Sequence, residues 1–128
     1  EGPHAVAVLV EDGNGSKMVC KMVSVSRAST TEIREARREL RSLSRLKHPF
    51  IRRYRESFSD SGWFGIVMDF CAGGDLTAQI QEASKASTPL GEEKVVTWLS
   101  QAMLALKYLH GLQVLHHRLE PSNIFLTA

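Results

Sequence analysis

At 128 residues, with 43% hydrophobic and 23% charged residues and a net charge of +2, the chain has the composition of one folded domain with a modest core. No run approaches the ~18 consecutive apolar residues of a membrane-spanning helix, and the N-terminal EGPHAVAVLVEDG lacks the basic leader of a signal peptide. Cys20 and Cys71 stand apart, with no C-x-x-C and no histidine at ligand spacing, which points to reduced structural thiols in a cytosolic or nuclear setting rather than a metal site or a disulfide.

Residues 6–10, VAVLV, form a strand-like apolar run, and Asp12-Gly13-Asn14-Gly15 supplies residues that tolerate positive φ. A hairpin with a return strand over residues 17–23 is therefore expected. Ser29-Thr30-Thr31-Glu32 has the S-x-x-E spacing of a capping box. Ile33, Ala36, Leu40, Leu43 and Leu46 follow at spacings of three and four, so the pattern predicts a helix with one buried stripe and outward arginines, stopped by His48-Pro49. Residues 51–58 and 63–70 read as two further strands joined by Ser59-Asp60-Ser61-Gly62.

Ala72-Gly73-Gly74 then reads as a flexible joint, with Asp75 capping a short helix over 76–83. A longer helix is predicted over 92–110, its stripe being Val95, Val96, Leu99, Met103, Leu106 and Leu109, with Gly111 as its C-cap. Charge is unevenly placed. Residues 27–55 carry ten Lys or Arg against three Glu, an excess of seven positive charges, so the remainder carries five net negative charges. Such asymmetry can mark a nucleic-acid or membrane surface, but a solvated basic helix face is the preferred reading.

The order β-β-α-β-β, a glycine joint and then helices resembles the first half of a eukaryotic protein kinase. The resemblance rests on KHPFI (47–51), YRESF (54–58), IVMDFCAGGDL (66–76) and PSNIFLT (121–127), which look most like the NIMA-related Ser/Thr kinases. It implies an α+β fold: a kinase N-lobe over 1–70, a hinge over 71–75 and a partial helical C-lobe over 76–128. It also implies ATP and Mg²⁺ as cofactors. Lys21, ending Val19-Cys20-Lys21, matches the strand lysine that reaches the nucleotide phosphates, and Glu39 the helix carboxylate that orients it. Met68 matches the gatekeeper, while the Asp69 carbonyl and the Cys71 amide match the adenine-binding hinge. Gly2 matches the second glycine of the phosphate-covering loop, and Asn123 the asparagine that binds Mg²⁺.

Other positions depart from the family pattern. Ala5 replaces the third loop glycine, and Pro3 removes an amide donor, which weakens the expected phosphate grip. In HHRLEPSN (116–123), Arg118 lies five residues before Asn123, where the catalytic aspartate belongs. Arginine carries five donors and no acceptor, so it cannot take the substrate's proton. Glu120 stands where a lysine normally neutralises the γ-phosphate, and His117 replaces an arginine. In the family the D-F-G segment lies beyond residue 128, and the first residue is Glu rather than Met, so a longer parent is expected.

The resulting expectation is a fragment or pseudokinase form that is catalytically inactive and acts by protein binding, with a partner covering the face of helix 92–110. The family resemblance suggests an intracellular, centrosomal or ciliary setting and cell-cycle roles. One alternative is part of an active ATP-dependent Ser/Thr kinase. A second is a basic module for acidic partners or nucleic acid, with nucleic acid the less favoured of the two.

Overall fold

Short apolar runs separated by turn residues in the first 70 positions can satisfy their backbone only if they pair, and they do so in a four-stranded antiparallel sheet. The computed structural model describes residues 5–127. Strands β1 (Ala5–Glu11), β2 (Lys17–Ser24), β3 (Tyr54–Asp60) and β4 (Trp63–Asp69) are ordered β1-β2-β4-β3. Helix α1 (Thr30–Leu43) intervenes between β2 and β3. The core joins Val23, Ala36, Phe64, Ile66 and Met68, so α1 lies on the sheet through Ala36, its only fully buried residue.

The β1–β2 turn is held by Asp12, whose Oδ1 accepts the amides of Asn14 and Ser16 at 2.8 and 2.9 Å. Those two amides hold its carboxyl below the usual aspartate value. The β3–β4 turn is tighter than the four residues expected. Both strands continue to the Asp60–Trp63 pair, and only Ser61 and Gly62 turn, both at positive φ. That is the two-residue geometry whose twist matches the strands. The third strand begins at Tyr54 rather than at residue 51. Its partner β4 ends at Asp69, whose amide donates to the Arg53 carbonyl and closes the ladder.

Ser29 caps α1 as its spacing predicts, with the reciprocal Ser29–Glu32 bonds both present. The helix nevertheless ends five residues before His48. The Ser44 hydroxyl bonds the Arg41 carbonyl, and the Leu46 amide bonds Leu43 in a turn, so Leu46 lies beyond the helical stripe.

The chain divides into two compact units, the first running to Lys47 and then over Ile51–Phe70, the second comprising His48–Phe50 and the residues from Cys71 onward. In the second unit the His48 ring packs 5.1 Å from that of Tyr108, centroid to centroid. Here α2 (Leu76–Lys85) is capped by Asp75, and α3 (Glu92–Gly111) follows. The inward residues of α3 are Val95, Trp98, Ala102, Ala105 and Leu109. The expected stripe is split: Val95 and Leu106 are half-buried and Leu109 is buried, but Val96, Leu99 and Met103 are exposed at 54%, 55% and 68%. Two small alanines permit the closest packing, and a periodicity counted on large apolar residues overlooks them.

Gly111 is the last helical residue and not the cap. Leu112 is the C-cap, and Gln113 takes the left-handed conformation at φ 59. The amides of Gln113 and Val114 bond the carbonyls of His110 and Leu109, the paired bonds of a Schellman motif. Among the described residues, no helix is long and apolar enough to cross a membrane.

Candidate functional site

In the first unit, strand alternation decides where Lys21 points. It is two residues from Val23, whose side chain enters the core against α1, so both face the helix. On α1, Glu39 is three residues past the buried Ala36 and so borders the same contact. The two meet: Lys21 Nζ donates to Glu39 Oε2 at 2.8 Å, the side chains being 25% and 36% exposed. The remaining half-exposure matters, because a wholly buried pair would offer its ammonium to nothing else.

Met68 lies in β4 at 6% exposure and belongs to the core that packs Ala36. Asp69 ends the strand. Its carboxylate accepts from Arg55 Nε, and Arg55 sits at the bulge between Tyr54 and Glu56. Nothing in the spacing of Arg55 and Asp69 announced this pair, since a bulge reaims a side chain only once the strands are paired. Cys20 is buried in β2, and burial pushes its thiol above the ordinary range. Gly2 lies outside the described residues, while Ala5 opens β1 opposite Val23.

The second unit contains Cys71, Arg118, Glu120 and Asn123. Cys71 is a half-buried free thiol whose carbonyl accepts from Gly74. After α3 the loop is organised by local bonds. His116 Nδ1 accepts the Arg118 amide at 3.2 Å, and His117 adopts φ 66. Asn123 Nδ2 donates to the Arg118 carbonyl at 2.9 Å, tying the far end of the loop to its centre. Glu120 accepts from the Ser122 hydroxyl at 3.0 Å, and its carbonyl accepts the Asn123 amide across the short 3-10 turn Pro121–Asn123. The side chains of Arg118 and Glu120 are exposed.

Beyond the turn, residues 124–126 pair with residues 73–76. The Gly73 amide donates to Leu126, Leu126 returns a bond to Gly74 at 2.7 Å, and Leu76 donates to Ile124. Gly73 is therefore needed for close approach. A Cβ there would lie 2.7 Å from the Leu126 carbonyl oxygen and 2.8 Å from that of Thr127.

Chemically, the first unit offers a positioned ammonium held by a carboxylate, which suits the oxygens of a polyphosphate. The second offers a hydrogen-bonded loop with one amide oxygen, on Asn123, free to face a cation. Among the described residues no group of three or more His, Cys, Asp or Glu is placed to hold a metal ion.

The protein kinase domain model matches residues 2–128. Serine/threonine-protein kinase Nek1 of Mus musculus is 42% identical over 128 residues, covering 99% of this chain and 10% of that protein. Nek4 of Mus musculus is 42% identical over 115 residues, covering 89% and 14%. Nek11 of Homo sapiens is 32% identical over 129 residues, covering 98% and 20%. The chain thus spans between a tenth and a fifth of the length of these relatives. A sheet carrying the Lys21–Glu39 pair, followed by a glycine joint, two helices and the Arg118–Asn123 loop, is what those matches align, and the chain belongs to the protein kinase family, with the NIMA-related Ser/Thr kinases as its kin.

Proposed function

We propose that this is a kinase-fold module that does not transfer phosphate and works by binding another protein. The observation that carries the reading is Arg118 at the position of the catalytic base. Phosphoryl transfer to a hydroxyl needs a carboxylate there to accept the proton, and a guanidinium has no acceptor and repels the proton. The loop around Arg118 is closed by the His116 and Asn123 bonds to its backbone. Glu120 adds a negative charge where transferring oxygens need a cation.

Mg-ATP, when bound, supplies the γ-phosphoryl group and part of its charge neutralisation. In the first unit Lys21, oriented by Glu39, would hold its phosphates and the backbone of Asp69 its adenine. The binding role is supported by the exposed apolar residues of α3, Val96, Leu99, Met103 and Leu104, which cover a face wide enough for a partner helix.

A second reading, part of an active Ser/Thr kinase, is favoured by the intact Lys21–Glu39 pair. One assay separates them. With Mg-ATP and a mixed Ser/Thr peptide substrate, transfer by the wild type is expected to equal that of Lys21→Met. A Ser/Thr kinase with an intact catalytic aspartate and D-F-G segment is the positive comparison. Wild-type transfer that disappears in Lys21→Met would establish the active-kinase reading instead.

A further inference from the structure

Helix α1 contains three acids and four arginines, and the fold disposes of them unequally. Glu32 is turned to the Ser29 amide in the capping box, and Glu39 is turned to Lys21. That leaves Glu35 as the helix's only acid on the solvent side. Arg34, Arg37, Arg38 and Arg41 are all exposed. At 3.6 residues per turn they fall within a sector of about 100°, with Arg34, Arg38 and Arg41 opposite Ala36 and Arg37 on the flank beside the sheet, and span about 10 Å along the axis. None of the four forms a salt bridge among the described residues. They therefore face one another as like charges at spacings of three and four, an arrangement that is unfavourable until something neutralises it. Arg37 lies over the Phe64 ring at 5.6 Å, which restrains its guanidinium before any ligand arrives.

From this we infer that the outer face of α1 is a docking surface for a carboxylate-rich segment of a partner protein. Charge complementarity identifies the occupant. The four guanidinia are distributed along two turns of a convex helix, and forked carboxylates at several successive positions match such a row better than one compact phosphate. A nucleic acid is the poorer fit, because the stripe is short for a phosphate backbone and no aromatic residue of α1 is available to stack bases. The surface lies on a different side of the helix from the Lys21–Glu39 pair.

The test is fluorescence anisotropy of a labelled oligoglutamate peptide, about eight residues long, titrated with the full chain at about 50 mM and about 300 mM salt. Binding is expected at low salt and is expected to weaken several-fold at high salt. The variants Arg34→Gln/Arg38→Gln and Arg37→Gln/Arg41→Gln are each expected to weaken it about tenfold while leaving the far-ultraviolet circular dichroism unchanged. If the second pair unfolds through loss of the Phe64 contact, the first carries the test alone. The inference is overturned by no binding at low salt, or by binding that Arg34→Gln/Arg38→Gln leaves intact. Tighter retention of a single-stranded oligonucleotide of equal charge would also overturn it, in favour of a nucleic-acid surface.

Discussion

Gln113 occupies the one position after α3 where the backbone must turn left-handed, at φ 59, and it does so with a side chain. For an L-residue that conformation costs about 1–2 kcal/mol relative to right-handed backbone, and glycine avoids most of it. Part of the gain is returned by the extra freedom glycine confers on the unfolded chain. Gln113→Gly is therefore expected to raise unfolding stability by about 0.5–1 kcal/mol, read as a higher urea midpoint at unchanged slope. A lower midpoint would mean that the Gln113 side chain makes a contribution larger than its backbone strain. Gly111, two residues earlier, has the composition of a cap but continues the helix. The choice between them is made by where the helix loses its packing partner, since Leu109 is the last buried residue of α3.

At the scale of elements, the pairing of residues 73–76 with 124–126 is the structural use of a stretch that reads as a flexible joint. The close approach of two backbones there leaves no volume for a methyl group at Gly73, and the obstructing atoms are carbonyl oxygens that cannot rotate away. Gly73→Ala is expected to cost about 1–3 kcal/mol and to expose the segment around Pro121–Asn123 to proteolysis. Gly13→Ala, in a turn with nothing within 4 Å of the added Cβ, is the neutral comparison. Equal stability of the two variants would show that the 73–76 pairing contributes nothing. The opposite case is Gly65, where a Cβ would meet the Phe58 ring of the paired strand at 2.3 Å. There the aromatic ring covers a glycine across the ladder, and a ring at the sheet edge has room to swing aside.

At the scale of the whole molecule, the chain exposes an unusual amount of large apolar side chain in its second unit. Met103, Leu115, Leu99 and Val96 are each more than half exposed. Such surface binds hydrophobic dyes and drives self-association until a partner covers it. Replacing Val96 and Met103 together by Gln is expected to lower dye fluorescence and concentration-dependent association. Stability should change by no more than about 0.5 kcal/mol, since neither side chain is buried. A large loss of stability would mean that these residues already pack against protein. In the first unit β4, an inner strand of the sheet, carries five successive buried residues, and the exposed apolar side chains lie mainly on β1, at Val6, Val8 and Leu9.

Much of this was legible from local chemistry. Ser29 with Glu32, Asp12 with Asn14 and Ser16, and Asp75 before α2 satisfy backbone amides a few residues away, so their meaning does not depend on the rest of the fold. The likeness that pairs Lys21 with Glu39 and places Arg118 where a base belongs is likewise a matter of residue type and order. The tertiary structure alone decided which side of α3 is buried, that Gly73 is pinned against residues 126 and 127, and that Arg55 reaches Asp69. Each of these depends on atoms distant in the chain arriving at one place. Spacing records what a segment is able to bury, whereas only the packed neighbours settle what it does bury.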